Sequence, residues 1–196
     1  AIWGRFFFHL ISLIIFFLVF KPKVNLKKNF KIQIIRSILM VTATSFMFFS
    51  LQKFDLVDIY VVFFTAPLIV SLLSAYFLKD ILSTKGILLM LLSFGSIVYS
   101  LGPSMKIFSL DLIFPIVPPI CWALYQFFTK VVSGDNDPFA AIFYTSILGA
   151  IIFSIFIIFN WVPLEKNIFW FYLIILGTLG FISHSLIIYA IQLYLW

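Results

Sequence analysis

Residues 56–78 read LVDIYVVFFTAPLIVSLLSAYFL, from Leu56 to Leu78. A single charged side chain, Asp58, stands near the start, and the rest is apolar or small. A bilayer core about 30 Å thick is crossed by about 20 apolar residues of helix, so this run is a transmembrane span. Its apolar residues fall on every side of the helix rather than on one stripe. Period-2 alternation is missing, which argues against the strand of a membrane barrel. Pro67 sits in the middle of the run, where it removes one backbone hydrogen bond and frees a carbonyl.

Six further runs extend the same reading outward from this one. They are Ala1–Phe20, Phe30–Leu51, Thr84–Leu101, Leu110–Val132, Pro138–Trp161 and Ile168–Leu195, separated by the polar breaks KPKVNLKKN, QKFD, KDILS, GPSMK, SGDND and PLEKN. The composition agrees. Of 196 residues 64% are hydrophobic and 10% charged, against about 25% charged in a soluble domain, and the mean hydropathy is +1.20. Such a chain could not cover a water-facing surface. The fold class expected is all-α: a polytopic membrane helical bundle with about seven spans.

The net charge of +6 belongs to loop placement rather than to nucleic-acid binding. Lys21, Lys23, Lys27, Lys28, Lys31 and Arg36 cluster at the first break, which the positive-inside rule places in the cytoplasm. Alternation puts Lys79, Lys85 and Lys130 on the same side, nine basic residues against four outside (Arg5, Lys53, Lys106, Lys166). The lone Cys121 can form neither an intrachain disulfide nor a cysteine metal site. With only His9 and His184 as histidines, no metal site or cofactor is expected. No phosphate-binding G-x-x-x-x-G-K-[ST] loop is present, and the titratable groups within the spans are too scattered for an enzyme.

A shift of 140 residues lays Phe49–Phe54 over Tyr189–Tyr194 and Thr44-Ser45 over His184-Ser185. It also puts the first run on the sixth and the lysine-rich break on PLEKN. Those two breaks differ in charge bias, as an inverted-topology repeat requires. The chain has no initiator Met and still runs apolar from Tyr189 to Trp196. The expectation is therefore a fragment: seven helices of a ten-helix, five-plus-five parent lacking its first helix and its last two.

Arg36-Ser37 opening one span, the Leu56–Asp58 turn, Thr65-Ala66-Pro67-Leu68, the Ser71/Ser74 face and Leu101-Gly102-Pro103 together resemble EamA-type transporters of the drug/metabolite transporter superfamily. Trp122-Ala123-Leu124-Tyr125-Gln126 followed by Lys130 looks like the helix that opens that family's second half. Asp80 departs from the Gly-Glu usual after the fourth helix, and the missing helices depart more. The resemblance implies residues 1–103 as the first repeat and 104–196 as a truncated second one. It implies a secondary active transporter, more commonly an exporter, moving small metabolites across a prokaryotic inner membrane by alternating access. The partners expected are the lipid bilayer and a small-molecule metabolite, with protons and a homodimer left open and no nucleic acid. The alternative is a seven-helix membrane protein without transport, receptor-like or structural.

Candidate pathway residues follow from residue type and position. Arg5, His9 and Ser12 share a helix face, either as a polar stripe on a vestibule or with Arg5 snorkelling outward. Thr65, Pro67, Ser71 and Ser74 mark an interrupted helix, which lines a binding site or serves close packing. Tyr60 stands in the same span. Trp122, Tyr125, Gln126 and Thr129 share a face suited to an amphipathic solute or to core packing. His184 could relay protons or bond a neighbouring helix. Arg36 reads as an anchor at the cytoplasmic interface, and Asp58 as an acid favoured at a helix N-terminus.

Overall fold

The computed structural model describes residues 1–22, 24–79, 83–101, 110–133 and 138–193. Lys23, Asp80, the Gly102-Pro103 end, Lys106, the Gly134–Asp137 break and Tyr194 lie outside them. The described residues form helices α1 (Ile2–Phe20), α2 (Phe30–Ser50), α3 (Leu56–Phe63), α4 (Ala66–Phe77), α5 (Thr84–Leu101), α6 (Ile113–Ser133), α7 (Pro138–Phe159) and α8 (Ile168–Leu193), with a 3-10 turn at Leu110–Leu112. No strand occurs among them. α3 and α4 are two parts of one expected span, so the seven sequence runs correspond to seven helical stretches. The 140-residue shift carries α1 onto α7 and α2 onto α8.

Five stretches are long and apolar enough to cross a membrane: Ile2–Phe20, Phe30–Ser50, Leu56–Phe77, Phe139–Phe159 and Ile168–Ile191. α5 contributes a shorter apolar stretch, Thr84–Ser96. α6 is less apolar because Pro115, Pro118 and Pro119 share it with Gln126, Thr129 and Lys130. Large apolar side chains remain exposed along the spans, as at Leu72 (65%), Ile155 (57%) and Leu186 (64%). In water such exposure would be costly; in a bilayer it is the surface that meets lipid. The protein is a multi-pass membrane protein.

The helix ends are set locally. Lys21 takes a left-handed conformation (φ 45°, ψ 50°) and its N–H donates to the Phe17 carbonyl, closing α1. Pro22 follows, as it commonly does after a helix stop. Asn29 (φ 53°) turns the chain into α2 and Lys79 (φ 56°) turns it after α4.

The chain forms two compact units, one of residues 1–41 and 128–196 and one of residues 42–127. In the first, α1 packs along both α7 and α8. Leu13, Ala141, Ile142 and Ile188 are buried together, flanked by Phe17, Phe139, Phe143 and Phe181. Close approach depends on small residues, as membrane helix packing does. A Cβ at Gly177 of α8 would collide with Phe8 and come within 2.8 Å of the His9 backbone nitrogen. The Trp3 indole N–H donates to the Ser154 hydroxyl at 3.1 Å, tying α1 to α7. In the second unit, Phe114 packs on Phe46 and Phe49, and Lys53 pairs with Asp111 at 2.6 Å while lying over the Phe114 ring.

The glycine contacts separate two substitutions of the same chemistry. Gly177→Ala forces backbone against side chain and is expected to cost about 1–3 kcal/mol, lowering the unfolding temperature in detergent micelles. A Cβ at Gly95 meets nothing within 4 Å, so Gly95→Ala is expected to hold that temperature or raise it. Equal effects of the two would contradict the α1–α8 packing.

Candidate functional site

In the first unit the structure brings His9, His184 and Arg5 together. His9 and His184 stack with ring centroids 5.7 Å apart and planes 28° from parallel, and they are 1% and 3% exposed. Phe181 meets His9 edge-on at 5.8 Å. Gly180 supplies the room: a Cβ there would stand 3.9 Å from both the Arg5 Nε and the His9 Nδ1. The face shared by Arg5, His9 and Ser12 is turned to α8, where the Ser12 and Thr178 hydroxyls lie 3.3 Å apart. Arg5 itself is half-buried. His9 Nε2 has no hydrogen-bond partner among the described residues.

Arg36 corrects the sequence reading. It was expected to anchor at the interface, yet it is 2% exposed and ranks among the largest buried side chains. Its Nη1 donates to the Gln33 Oε1 at 2.7 Å. Distance along a helix says how near its end a residue lies; the side of the helix it occupies decides whether it reaches water. Gln33 was not singled out at all. The signal for it was an amide three residues before an arginine in an otherwise apolar run, a spacing that puts both on one face.

In the second unit the span quoted first is interrupted where Pro67 predicts. Pro67 has no N–H to offer the Phe63 carbonyl, and α3 stops at Phe63. The chain then tightens: the Phe64 N–H donates to the Tyr60 carbonyl at 2.9 Å and the Thr65 N–H to the Val62 carbonyl at 3.0 Å. The Thr65 hydroxyl donates to the same Val62 carbonyl at 2.7 Å. Ser71 donates to the Pro67 carbonyl at 2.9 Å and touches the Met90 sulfur of α5. Ser74 is buried.

Aromatic rings run from that interruption to α6. Tyr60 meets Phe63 edge-on, Phe63 lies 6.2 Å from Trp122, and Trp122 stacks on Tyr125 at 5.5 Å and 18°. Tyr125 and Thr129 are buried, while Trp122 and Gln126 are half-buried. Asp58 is in the first turn of α3, as expected, and is buried there. Among the described residues no group of three or more His, Cys, Asp or Glu side chains could hold a metal ion.

The model of the EamA-like transporter family matches residues 1–102 and 110–194. The chain belongs to the EamA-like transporter family. It is thereby an EamA-type member of the drug/metabolite transporter superfamily, a family of membrane transporters rather than of enzymes. No curated protein matches the chain.

For this EamA chain the His9 environment yields a direct check. His9→Phe keeps a ring against Phe181 and His184 while removing a buried nitrogen that lacks a partner. Because such a group carries a desolvation cost with nothing to offset it, the variant is expected to unfold at the wild-type temperature or a few degrees above it. A fall of many degrees in a micelle melt would show that the imidazole holds α1 to α8.

Proposed function

We propose that this protein is a secondary active transporter that exports small amphipathic metabolites across a prokaryotic inner membrane by alternating access of two inverted repeats, residues 1–103 and 104–196. The observation that carries the reading is the interruption at Thr65–Pro67, set beside the ring series Tyr60, Phe63, Trp122 and Tyr125. Interrupted helices line transporter sites near the midplane, because non-helical backbone at that depth must face a cavity or protein. Aromatic rings with an amide close by, here Gln126, suit a solute with an apolar body and one polar handle.

Within this reading Tyr60, Trp122 and Tyr125 contact the solute's apolar part, and Gln126 and Ser71 orient its polar part. Thr65 and Pro67 hold the interruption open. Arg5, His9 and His184 belong to the pathway through the other unit, with the histidines as the groups suited to coupling solute movement to protons. A homodimer is compatible with the apolar faces and forms no part of the mechanism.

Flux through proteoliposomes tests this. The purified protein is expected to move at least one member of a metabolite panel, and Pro67→Ala is expected to slow that flux about tenfold or more, equivalent to about 1.4 kcal/mol in the barrier. The same variant restores a backbone hydrogen bond, so its unfolding temperature should not fall. Absence of flux for every solute, with and without a pH gradient, would overturn the transport reading. Unchanged flux in Pro67→Ala would overturn the role of the interruption.

A further inference from the structure

We propose that the groove between α1 and α7 holds one acyl chain of an anionic phospholipid, whose headgroup is held by the lysines of the break after α1. The proposal concerns the first unit alone and stands whether or not the protein transports a solute.

The groove has a volume of about 440 Å³ and is lined by Leu10, Ile14, Phe17 and Leu18 of α1 and by Phe143 and Ile147 of α7. The buried Leu13 lies beneath them. None of these side chains carries a polar atom, so the occupant's body is hydrocarbon. The groove opens outward: Ile14 and Leu18 at its edge are 49% and 69% exposed.

One end of the groove reaches the lysines. α1 and α7 run antiparallel, with Trp3 bonded to Ser154 towards one end and Phe17 edge-on to Phe139 towards the other. At that second end the Phe143 ring, part of the groove wall, meets the Tyr144 ring at 5.9 Å. The Tyr144 hydroxyl donates to the Leu26 carbonyl at 2.6 Å, and its ring meets Phe30 at 5.6 Å. The break after α1 is thereby tied down beside the mouth of the groove. From Lys21 to Lys31 the sequence carries Lys21, Lys23, Lys27, Lys28 and Lys31 and no acid. Asp135 and Asp137 precede α7, so the five lysines outnumber the nearby acids of the sequence. Lys21, Lys27 and Lys31 are exposed. Basic residues at this level of a membrane protein attract anionic headgroups.

Size and charge select a lipid over a protein. From Leu10 to Leu18 the helix rises about 12 Å, which gives the 440 Å³ groove a mean cross-section of about 37 Å². A helix with its side chains is about 10–12 Å across, a cross-section of about 80–110 Å². The groove has less than half that width to offer, whereas an extended acyl chain is a single file of methylenes. A second copy on the same face would set two lysine clusters against each other at one level of the bilayer, and like charges so placed oppose association.

The test uses the purified protein in non-ionic micelles. The probes are phosphatidylglycerol, phosphatidylcholine with the same acyl chains, and glycerol phosphate as a headgroup without chains. A ligand that binds only the folded state raises the unfolding temperature saturably. Phosphatidylglycerol is expected to do so, and native mass spectrometry is expected to find one such lipid retained per chain. Phosphatidylcholine is expected to bind about tenfold more weakly or less, and glycerol phosphate to give no shift. Ile14→Phe fills the groove from its exposed edge and is expected to weaken phosphatidylglycerol about tenfold. Ile158→Phe, at a position of α7 that is 74% exposed and outside the groove, is expected to leave it unchanged. Lys27→Gln with Lys31→Gln is expected to reduce the preference for phosphatidylglycerol about tenfold. Should Ile14→Phe fail to fold, Ile147→Phe fills the groove from the other wall and decides in its place.

Equal shifts with the two phospholipids would mean unselective lipid contact and overturn the site. A saturable shift with glycerol phosphate, or wild-type lipid affinity in the groove-filling variant, would leave the lysines binding anions without the groove and overturn it too. So would an unchanged preference in the double lysine variant, or a lipid-free dimer that Ile14→Phe dissociates, which would make the groove an interface between copies.

Discussion

Hydrocarbon offers a backbone N–H or C=O no hydrogen-bond partner, and each element of this chain is arranged to supply the partner itself. Helices satisfy nearly every group internally, and their ends are placed at the polar breaks, where Lys21, Asn29 and Lys79 adopt left-handed conformations to turn the chain. The interruption at Thr65–Pro67 meets the same constraint. Pro67 deprives the Phe63 carbonyl of its donor, and the adjoining Val62 carbonyl gains two, from the Thr65 N–H and the Thr65 hydroxyl. Thr65 thus caps the turn just before the proline through both its backbone and its side chain. An alanine at position 65 would leave the tightened turn with its backbone bond alone.

A second demand comes from packing. Lipid tails are as apolar as leucine, so burial of apolar surface does little to draw helices together in a bilayer, and close contact has to do it. α1 meets α8 where Gly177 and Gly180 remove side-chain bulk. The Phe8 and His9 backbone comes against the first glycine, and the Arg5 and His9 side chains come against the second. Gly149 of α7 accepts the Phe6 ring in the same manner. Phenylalanine suits this arrangement. A flat ring fills the shallow space that a glycine leaves, and Phe6 goes on to stack against Phe153 at 5.4 Å.

How much of this was legible in the sequence depended on whether the signal was local. The helices were readable to within a few residues, because apolar runs and their polar breaks are features of contiguous sequence. The break at Pro67 was readable because proline acts on its own turn. The Trp122–Tyr125 stack was readable because a spacing of three residues fixes the face. The His9–His184 stack was not, since it joins residues far apart in the chain and depends on the glycines between them. Arg36 was misplaced for a related reason. Its nearness to the helix start was plain, while the inward direction of its side depended on which helices pack there. Gln33 was the overlooked clue: on the same face, it gave a buried arginine somewhere to place an N–H.

Most of the polar side chains in the spans are less informative than they look. Ser37, Ser50, Ser71, Ser93, Ser96, Thr145, Ser146 and Ser185 each donate to the carbonyl four residues back on their own helix. A hydroxyl answered this way is satisfied wherever the helix goes, so its burial says nothing about a ligand. Amides, guanidinium groups and imidazoles are too long or too rich in donors to be satisfied by their own turn alone. In a bilayer that difference sorts polar residues into two kinds, those that their own helix backbone satisfies and those that reach to other groups. Gln33, Arg36, His9 and His184 are of the second kind, and they turn to other side chains, as in the Arg36–Gln33 bond and the His9–His184 stack.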